Sequence, residues 1–265
     1  MFRLIVEGKA DMENRVVYLC EDTPDGIFTA IYDAWAANIK QEQLSIQVEY
    51  LHTMQLFTDY IYVQTEFDKA VKVARSVRNK IGVEAYDMMY KAALSYEEDK
   101  IDAIYRFLKL GFHHGRAVVD MHGEDSVCRV FELKRNVWNE AHSFREFLRF
   151  HDSEEGVLIA RIHPKNHVLP ILADHFSDRF PEENFVILDD NHAMGVFHEK
   201  RKNWFLAPLE EQVLERIWSQ KESEEYEKLW KTFFHTIAIE ERTNYKCQRN
   251  MCALRNRDYM IEFQR

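Results

Sequence analysis

The stretch Val157-Leu-Ile-Ala-Arg-Ile162 decides the fold. Upstream of it the chain reads as one helix after another, and this short apolar run reads as a strand. The downstream residues keep the new character. Val168 to Phe180 predicts a helix, then Phe185-Val-Ile-Leu188, Ala193-Met-Gly-Val-Phe197 and Trp204-Phe-Leu206 predict a meander of strands, with turns at Asp189-Asp-Asn191 and Lys200-Arg-Lys202. Two more helices, Pro208 to Gln220 and Glu224 to Ile239, come after the meander. The fold class is α+β: a helical middle region packed beside a small, mostly antiparallel sheet. The expected organisation is a single domain over 1–265, mainly helical over 1–150 after an N-terminal strand, with sheet and C-terminal helices over 151–265.

The helical part has its own punctuation. Arg15 to Cys20 reads as a short buried strand, and Thr23-Pro24-Asp25 as a helix start with a hydroxyl cap, proline at the first helical position and an acid in the first turn. Ile27, Ala30, Ile31, Ala34 and Trp35 fall at helical spacing and form its expected buried stripe. Between Leu44 and Val63 the pattern suggests two weak strands around His52 and Asp59. Phe67 to Lys80 is helical, Gly82 breaks it, and Glu84 to Leu94 resumes. Ser95 with Glu98 carries a capping-box signal for a helix from Glu97 to His113. A long helix from Ser126 to Phe150 completes the set.

Composition excludes several classes. A 265-residue chain that is 46% hydrophobic, with 8 glycines and 5 prolines, has the makings of a packed core and is not a low-complexity segment. No apolar run approaches a membrane span, and the first residues are interrupted too early by Glu7 and Lys9 for a signal peptide, so a cytoplasmic location is expected. The scattered cysteines Cys20, Cys128, Cys247 and Cys252 are expected as free thiols. No Cys-x3-Cys-x2-Cys iron–sulfur signature is present, so the chain is not expected to be a radical enzyme itself. A net charge of -10 argues against coating nucleic acid over the whole surface and leaves room for a local basic face.

Three places concentrate cations. On the long helix, Val130, Leu133, Val137, Ala141, Phe144 and Leu148 form one apolar stripe, while Arg135, Trp138, His142, Arg145 and Arg149 recur at three and four residues on a neighbouring face. Guanidinium groups suit phosphates, and an aromatic between them can stack on an unpaired base. The competing reading is a surface helix whose arginines pair with Glu132, Glu140 and Glu146. In the second place, His175 and Arg179 lie one turn apart and could hold a phosphate or carboxylate together. Here the competing reading gives His167 a capping role at the helix start and leaves His175 half buried. The third place is the stretch from Glu241 to Arg265, where six Lys/Arg (Arg242, Lys246, Arg249, Arg255, Arg257, Arg265) stand against three acids. A solvated tail competes there.

Catalytic motifs are missing. There is no Gly-x-Ser-x-Gly elbow, no phosphate-cradling glycine loop and no dinucleotide fingerprint, so no cofactor is expected. His163, His167 and His175 are poorly spaced for zinc, and no metal is expected. Glu140 and His142 point to different faces of their helix. Asp189-Asp190 could bind a cation or activate water, but tight turns use the same residues for backbone hydrogen bonds.

Over most of its length the chain resembles a bacterial family of uncharacterised proteins assigned to DNA metabolism or DNA repair. The likeness is carried by Val17-Tyr-Leu-Cys-Glu-Asp-Thr-Pro-Asp-Gly26 with Thr29 to Ala34, by Arg106, Gly111 and Arg116, and by Glu140-Ala-His142 with Phe147 and Arg149-Phe150. It continues through Ile162-His-Pro164, His167 to Pro170, His175-Phe176 and Arg179-Phe180. Members are typically encoded beside a radical S-adenosylmethionine protein similar to spore photoproduct lyase, and some are fused to uracil-DNA glycosylase. The family usually has a proline before a Leu/Lys-Arg-Tyr run; Ala253-Leu-Arg-Asn256 departs from it while Arg249 and Arg255 still match.

Together the residues and the resemblance imply a nucleic-acid-binding accessory protein of DNA repair or metabolism. It would hold single-stranded or damaged DNA for a radical S-adenosylmethionine partner through Arg106, Arg116, Arg135, His142, Arg145, Arg149, His175, Arg179, Arg242, Arg249 and Arg255. Two alternatives stay open: an enzyme acting directly on DNA, such as a glycosylase or hydrolase, and an interaction subunit that never touches DNA. The last would expose Trp230, Phe233 and Phe234, which helical spacing places in the core instead.

Overall fold

The computed structural model describes residues 15–39, 43–49, 56–153, 155–219, 229–233, 236, 244–246, 254–257 and 260–263. Contacts divide the chain into two units, Met1–Lys134 and Arg135–Arg265. The division falls inside one long helix.

In the first unit, β1 (Arg15–Cys20) is the middle strand of a sheet ordered β2-β1-β3, with β2 at Leu44–Val48 and β3 at Thr58–Tyr62. Both pairings are parallel. A parallel neighbour needs a crossover, and α1 (Pro24–Ala36) supplies it between β1 and β2. Its start is the one expected: the Thr23 hydroxyl accepts a hydrogen bond from the Gly26 N–H at 3.0 Å. Ile27, Ala30, Ile31 and Ala34 are buried, but Trp35 is 42% exposed, against expectation. Its indole sits at the rim, edge-on to Tyr105 and Phe112 at 5.8 and 5.2 Å, so it packs without being covered.

Helices α2 (Phe67–Lys80) and α3 (Val83–Ala93) are separated by Gly82, whose φ of 142° is one that side chains rarely adopt. Helix α4 runs from Lys100 to His114 and starts later than the capping-box signal predicts. The physical reason is tertiary. Lys100 is fully buried, and its Nζ donates to the Asp22 carboxylate and, at 2.6 Å, to the Ser95 carbonyl. Arg129 pulls in Asp99 at 2.7 Å and Glu97 at 3.3 Å from the other side. These bonds hold 95–99 out of the helix, and the Ser95 hydroxyl accepts from the Glu97 N–H, at 3.2 Å. A 3-10 segment, Gly115–Asp120, leads to α5 (Asp125–Phe147). Its Val127, Val130 and Leu133 join the core of this unit.

The second unit starts within α5, where Val137, Ala141 and Phe144 continue the buried stripe. Each fully buried apolar side chain contributes roughly 1.5–3 kcal/mol, against about 0–1 kcal/mol for an exposed ion pair. The apolar stripe, not the charges, therefore fixes how α5 is seated. The sheet is ordered β4-β5-β6-β7, with β4 at Val157–Ile162, β5 at Asn184–Asp189, β6 at Met194–His198 and β7 at Phe205–Pro208. β4 and β5 are parallel, joined by α6 (Leu169–Arg179); the two remaining pairings are the antiparallel meander. Helix α7 (Glu211–Trp218) lays Leu214 against Ile159 and Leu188. The short helix α8 (Leu254–Arg257) and a 3-10 turn at Ile261–Phe263 come last. The chain is thus α+β, with helices through its middle. Most of the expected helix at Glu224–Ile239 lies outside the described residues, which include a helical piece at 229–233.

Candidate nucleic-acid interface

The second unit holds the predicted stripe of α5 and the predicted pair on α6. Four phenylalanines fix α6 in place: Phe150 meets Phe176, Phe180 and Phe185 edge-on, with ring centroids 5.1, 5.8 and 5.8 Å apart. On this scaffold Arg145 reaches toward α6. Its guanidinium donates to the Ile171 carbonyl at 3.4 Å and lies 4.8 Å from the centre of the Trp138 ring. Its Nε is buried with no hydrogen-bond partner among the described residues. His175, half buried, is pushed below the usual imidazole range by burial first, and then by the positive charges of Arg145 and Arg179; Asp178 acts in the opposite sense. Both guanidinium groups therefore act on one spot. Neither Arg145, Arg179 nor the exposed Arg135 pairs with a carboxylate among the described residues.

The other predicted residues are placed differently. Arg149 is neutralised by Glu262, a buried carboxylate 2.8 Å away, and also lies 5.9 Å from the Trp230 ring centre. His142 faces Glu146 at 3.2 Å. Arg106, in the first unit, pairs with Asp102 one turn away at 2.9 Å. Arg116 is exposed in the 3-10 segment of the same unit. Arg242 and Arg249 lie outside the described residues, as does the side chain of Arg255. Of the acids expected to quench the stripe, Glu146 does so at His142, whereas Glu132 faces Arg129 and Glu140 points inward. Trp230 and Phe233 are 41% and 53% exposed rather than in the core, because the described part of their helix presents them outward; Phe234 lies outside the described residues.

A second constellation escaped the sequence reading. Because β4 and β5 are parallel, both strands end on the same side of the sheet. The loop after β4 is anchored by Glu140 of α5, whose carboxylate accepts from the Lys165 N–H at 3.0 Å, the Asn166 N–H at 2.8 Å and the Asn166 side-chain amide at 2.6 Å. The turn after β5 is closed by Asp189, which accepts from the N–H groups of Asn191 and His192 at 3.0 and 3.2 Å. Its other oxygen lies 2.7 Å from His192 Nδ1. The His192 ring packs on that of His167, 3.9 Å between centroids. His167 directly precedes the N-cap of α6, Val168, whose own side chain makes no capping hydrogen bond.

Asp189 and Asp190 thus have separate duties. Asp190 is held by Arg161, which also reaches Glu215, both at 2.6 Å. A buried carboxylate on Nδ1 fixes the imidazole tautomer and leaves Nε2 to exchange a proton with a ligand. Among the described residues no group of three or more His, Cys, Asp or Glu side chains is placed to hold a metal ion. The signal for the pair was an Asp and a His three residues apart at a strand end; sequence alone does not tell such a pair from a plain turn.

A comparison with curated proteins finds no match. Among solved structures, the chain is similar to the DHH domain of a member of the s1p family of ribosomal proteins at 9% identity and a TM-score of 0.32, over 70% of this chain and 73% of that one. A likeness this weak implies neither fold nor function. A family model described as a domain of unknown function, DUF4130, matches residues 98–262, which takes in the Arg145, His175 and Arg179 cluster and the Asp189–His192 pair but leaves α1 to α3 outside. By a match over more than half its length, the chain belongs to the DUF4130 family.

Proposed function

We propose that this protein binds nucleic acid through the α5–α6 face of its second unit. One observation carries the reading: Arg145, seated on the Ile171 carbonyl of α6 beside Trp138, and Arg179, on that same helix, have no carboxylate partner among the described residues. Two uncompensated guanidinium groups on a protein of net charge -10 form a local anion site, and Trp138 beside Arg145 offers a surface for an unpaired base. The resemblance supports the finer statement, an accessory role in DNA repair or metabolism beside a radical S-adenosylmethionine protein. The test is fluorescence anisotropy with a labelled single strand across a salt series. The logarithm of the binding constant falls linearly with the logarithm of salt, and Arg145→Ala or Arg179→Ala lowers the slope by about 0.7 each. Affinity that ignores salt would defeat the proposal. Co-purification with the radical protein, with and without DNA, tests the partner.

A second reading, an enzyme acting directly on DNA, draws on the Asp189–His192 pair. An imidazole oriented by a buried carboxylate is equipped for general acid–base work. Under this reading His192→Gln abolishes turnover of a DNA substrate while strand binding persists.

A further inference from the structure

Helix α2 carries a basic surface in which the α5–α6 face has no share. Within Phe67–Lys80, Lys69, Lys72, Arg75, Arg78 and Lys80 stand against the single acid Asp68. Their partners sort them. Lys69 is held by Asp33 and Glu66, both at 2.8 Å, and Arg78 stacks on Tyr86, 3.8 Å from the ring centre. Lys72 and Lys80 are exposed and pair with no carboxylate among the described residues. Each instead hangs over an aromatic ring, Tyr32 and Phe112 respectively, at 5.8 Å.

Those two rings belong to a groove of 550 Å³ bounded by α1, α2 and α4. Trp35, Tyr32 and Phe112 line it, its floor is Ile31, Val73 and Leu108, and among the described residues no acid contributes to the lining. The volume falls within the range of small-ligand pockets. Trp35 forms its wall edge-on to Phe112 and is exposed to 42%. Lys72 and Lys80 are eight positions apart on α2, about 12 Å along the axis. An apolar, aromatic-walled slot with unpaired cations at the rim suits a flat ring that carries negative charge beside it. The groove on the other flank of α2 lacks this character, because Asp25 lines it and Arg78 already covers Tyr86.

We infer that this groove takes one unpaired nucleotide of a single strand: the base lies against Trp35, and the flanking phosphates meet Lys72 and Lys80. For the class of ligand the inference rests on the nucleic-acid reading, but it uses a different unit and different residues. Trp35, Lys72 and Lys80 lie outside the matched family region, while Leu108 and Phe112 of α4 lie inside it, and the inference gives α1 and α2 a task that the α5–α6 face does not perform.

The test uses the full chain and two labelled probes, a short oligodeoxythymidine and an abasic strand of equal length and charge. Trp35→Leu weakens binding of the thymidine strand roughly tenfold and leaves the abasic strand unchanged, as expected when one stacked base is lost. The double variant Lys72→Glu with Lys80→Glu, both at exposed positions, weakens both probes and serves where the tryptophan change disturbs packing. Equal affinity of the native protein for the two probes overturns the inference, because the groove would then read charge alone, as it would with an acidic peptide. So does a Trp35→Leu protein that binds the thymidine strand like the native one. If in addition Arg145→Ala and Arg179→Ala abolish binding, the α5–α6 reading survives and only the groove falls. A native protein that binds neither probe sinks both.

Discussion

Replacing Glu140 with alanine tests how the edge of the second sheet is held. The carboxylate is 8% exposed and accepts three hydrogen bonds, from two successive peptide N–H groups and the Asn166 amide, at 3.0, 2.8 and 2.6 Å. A hydrogen bond to a charged acceptor contributes about 1.5–3 kcal/mol, and three sharing one carboxylate do not add in full. Removal leaves donors at a buried Asn166 facing a cavity rather than water. The expected loss is about 3–5 kcal/mol, the scale of breaking a buried charged contact and a large part of a typical domain's stability. Glu140→Gln keeps one acceptor oxygen but turns an amide NH2 toward another donor, and loses about half as much. Urea unfolding gives the stability. The amide resonances of Lys165 and Asn166 give the local geometry, and both move in the alanine variant. Because the same loop carries His167 onto His192, the His192 ring resonances shift as well. A loss below about 1 kcal/mol with unmoved Lys165 and Asn166 amides would refute the reasoning.

Other contacts lead to three more expected outcomes. His175 titrates below the ordinary 6.5 for burial first and the two arginines second; its folded value is depressed, so its contribution to stability is present above 6.5 and fades as pH falls through the folded value. By NMR, Arg179→Ala moves the titration part of the way back up, and an unmoved curve would show that the charge plays no part. Lys100→Met removes the buried ammonium beside the Asp22 carboxylate, 10% exposed, and costs about 3–5 kcal/mol, part of which Asp22→Asn restores in the double variant; a single variant as stable as the native protein would contradict this. Gly111→Ala places a methyl 2.7 Å from Ile81 Cδ1 and costs about 1–3 kcal/mol, more than the roughly 1 kcal/mol that alanine brings to a helix. Shortening the neighbour with Ile81→Val recovers part of that loss in urea unfolding, and a Gly111→Ala protein more stable than the native one would show that the contact is slack.

Periodicity carried much of the fold because it reports which face meets the core. The stripe Val130, Leu133, Val137, Ala141 and Phe144 is buried as its spacing predicts, and the strands of the meander fall where alternation and turn residues put them. What periodicity cannot report is who sits opposite. Trp35 has the spacing of a core residue and lies at a rim; the capping-box pair at Ser95 and Glu98 loses to a lysine buried beside Asp22. Helix α2 was legible as a helix, yet its lysines acquire meaning only once Tyr32, Trp35 and Phe112 are seen to face them. The parallel pairing of β4 with β5 also escaped notice, and with it the edge where Asp189 and His192 meet.

Counting cations along a helix therefore overstates a binding face, and partner accounting corrects it. Arg149 matches the resemblance and the stripe, but Glu262, distant in sequence, already neutralises it. Its role is then to tie the end of α5 to the 3-10 turn at Ile261–Phe263, since an anion would have to displace a buried carboxylate to reach it. The same accounting splits Asp189 from Asp190. As adjacent acids they suggest a cation site, yet one holds an imidazole and the other an arginine, so neither keeps its charge available for a metal. Arg145 stands apart because its partners are a carbonyl and an indole, neither of which cancels charge, and its buried Nε has no acceptor among the described residues. Under the proposed reading, a guanidinium oriented by a ring and left without a carboxylate among the described residues offers its remaining N–H groups to an oxyanion, and this arrangement, more than the number of arginines, favours the α5–α6 face.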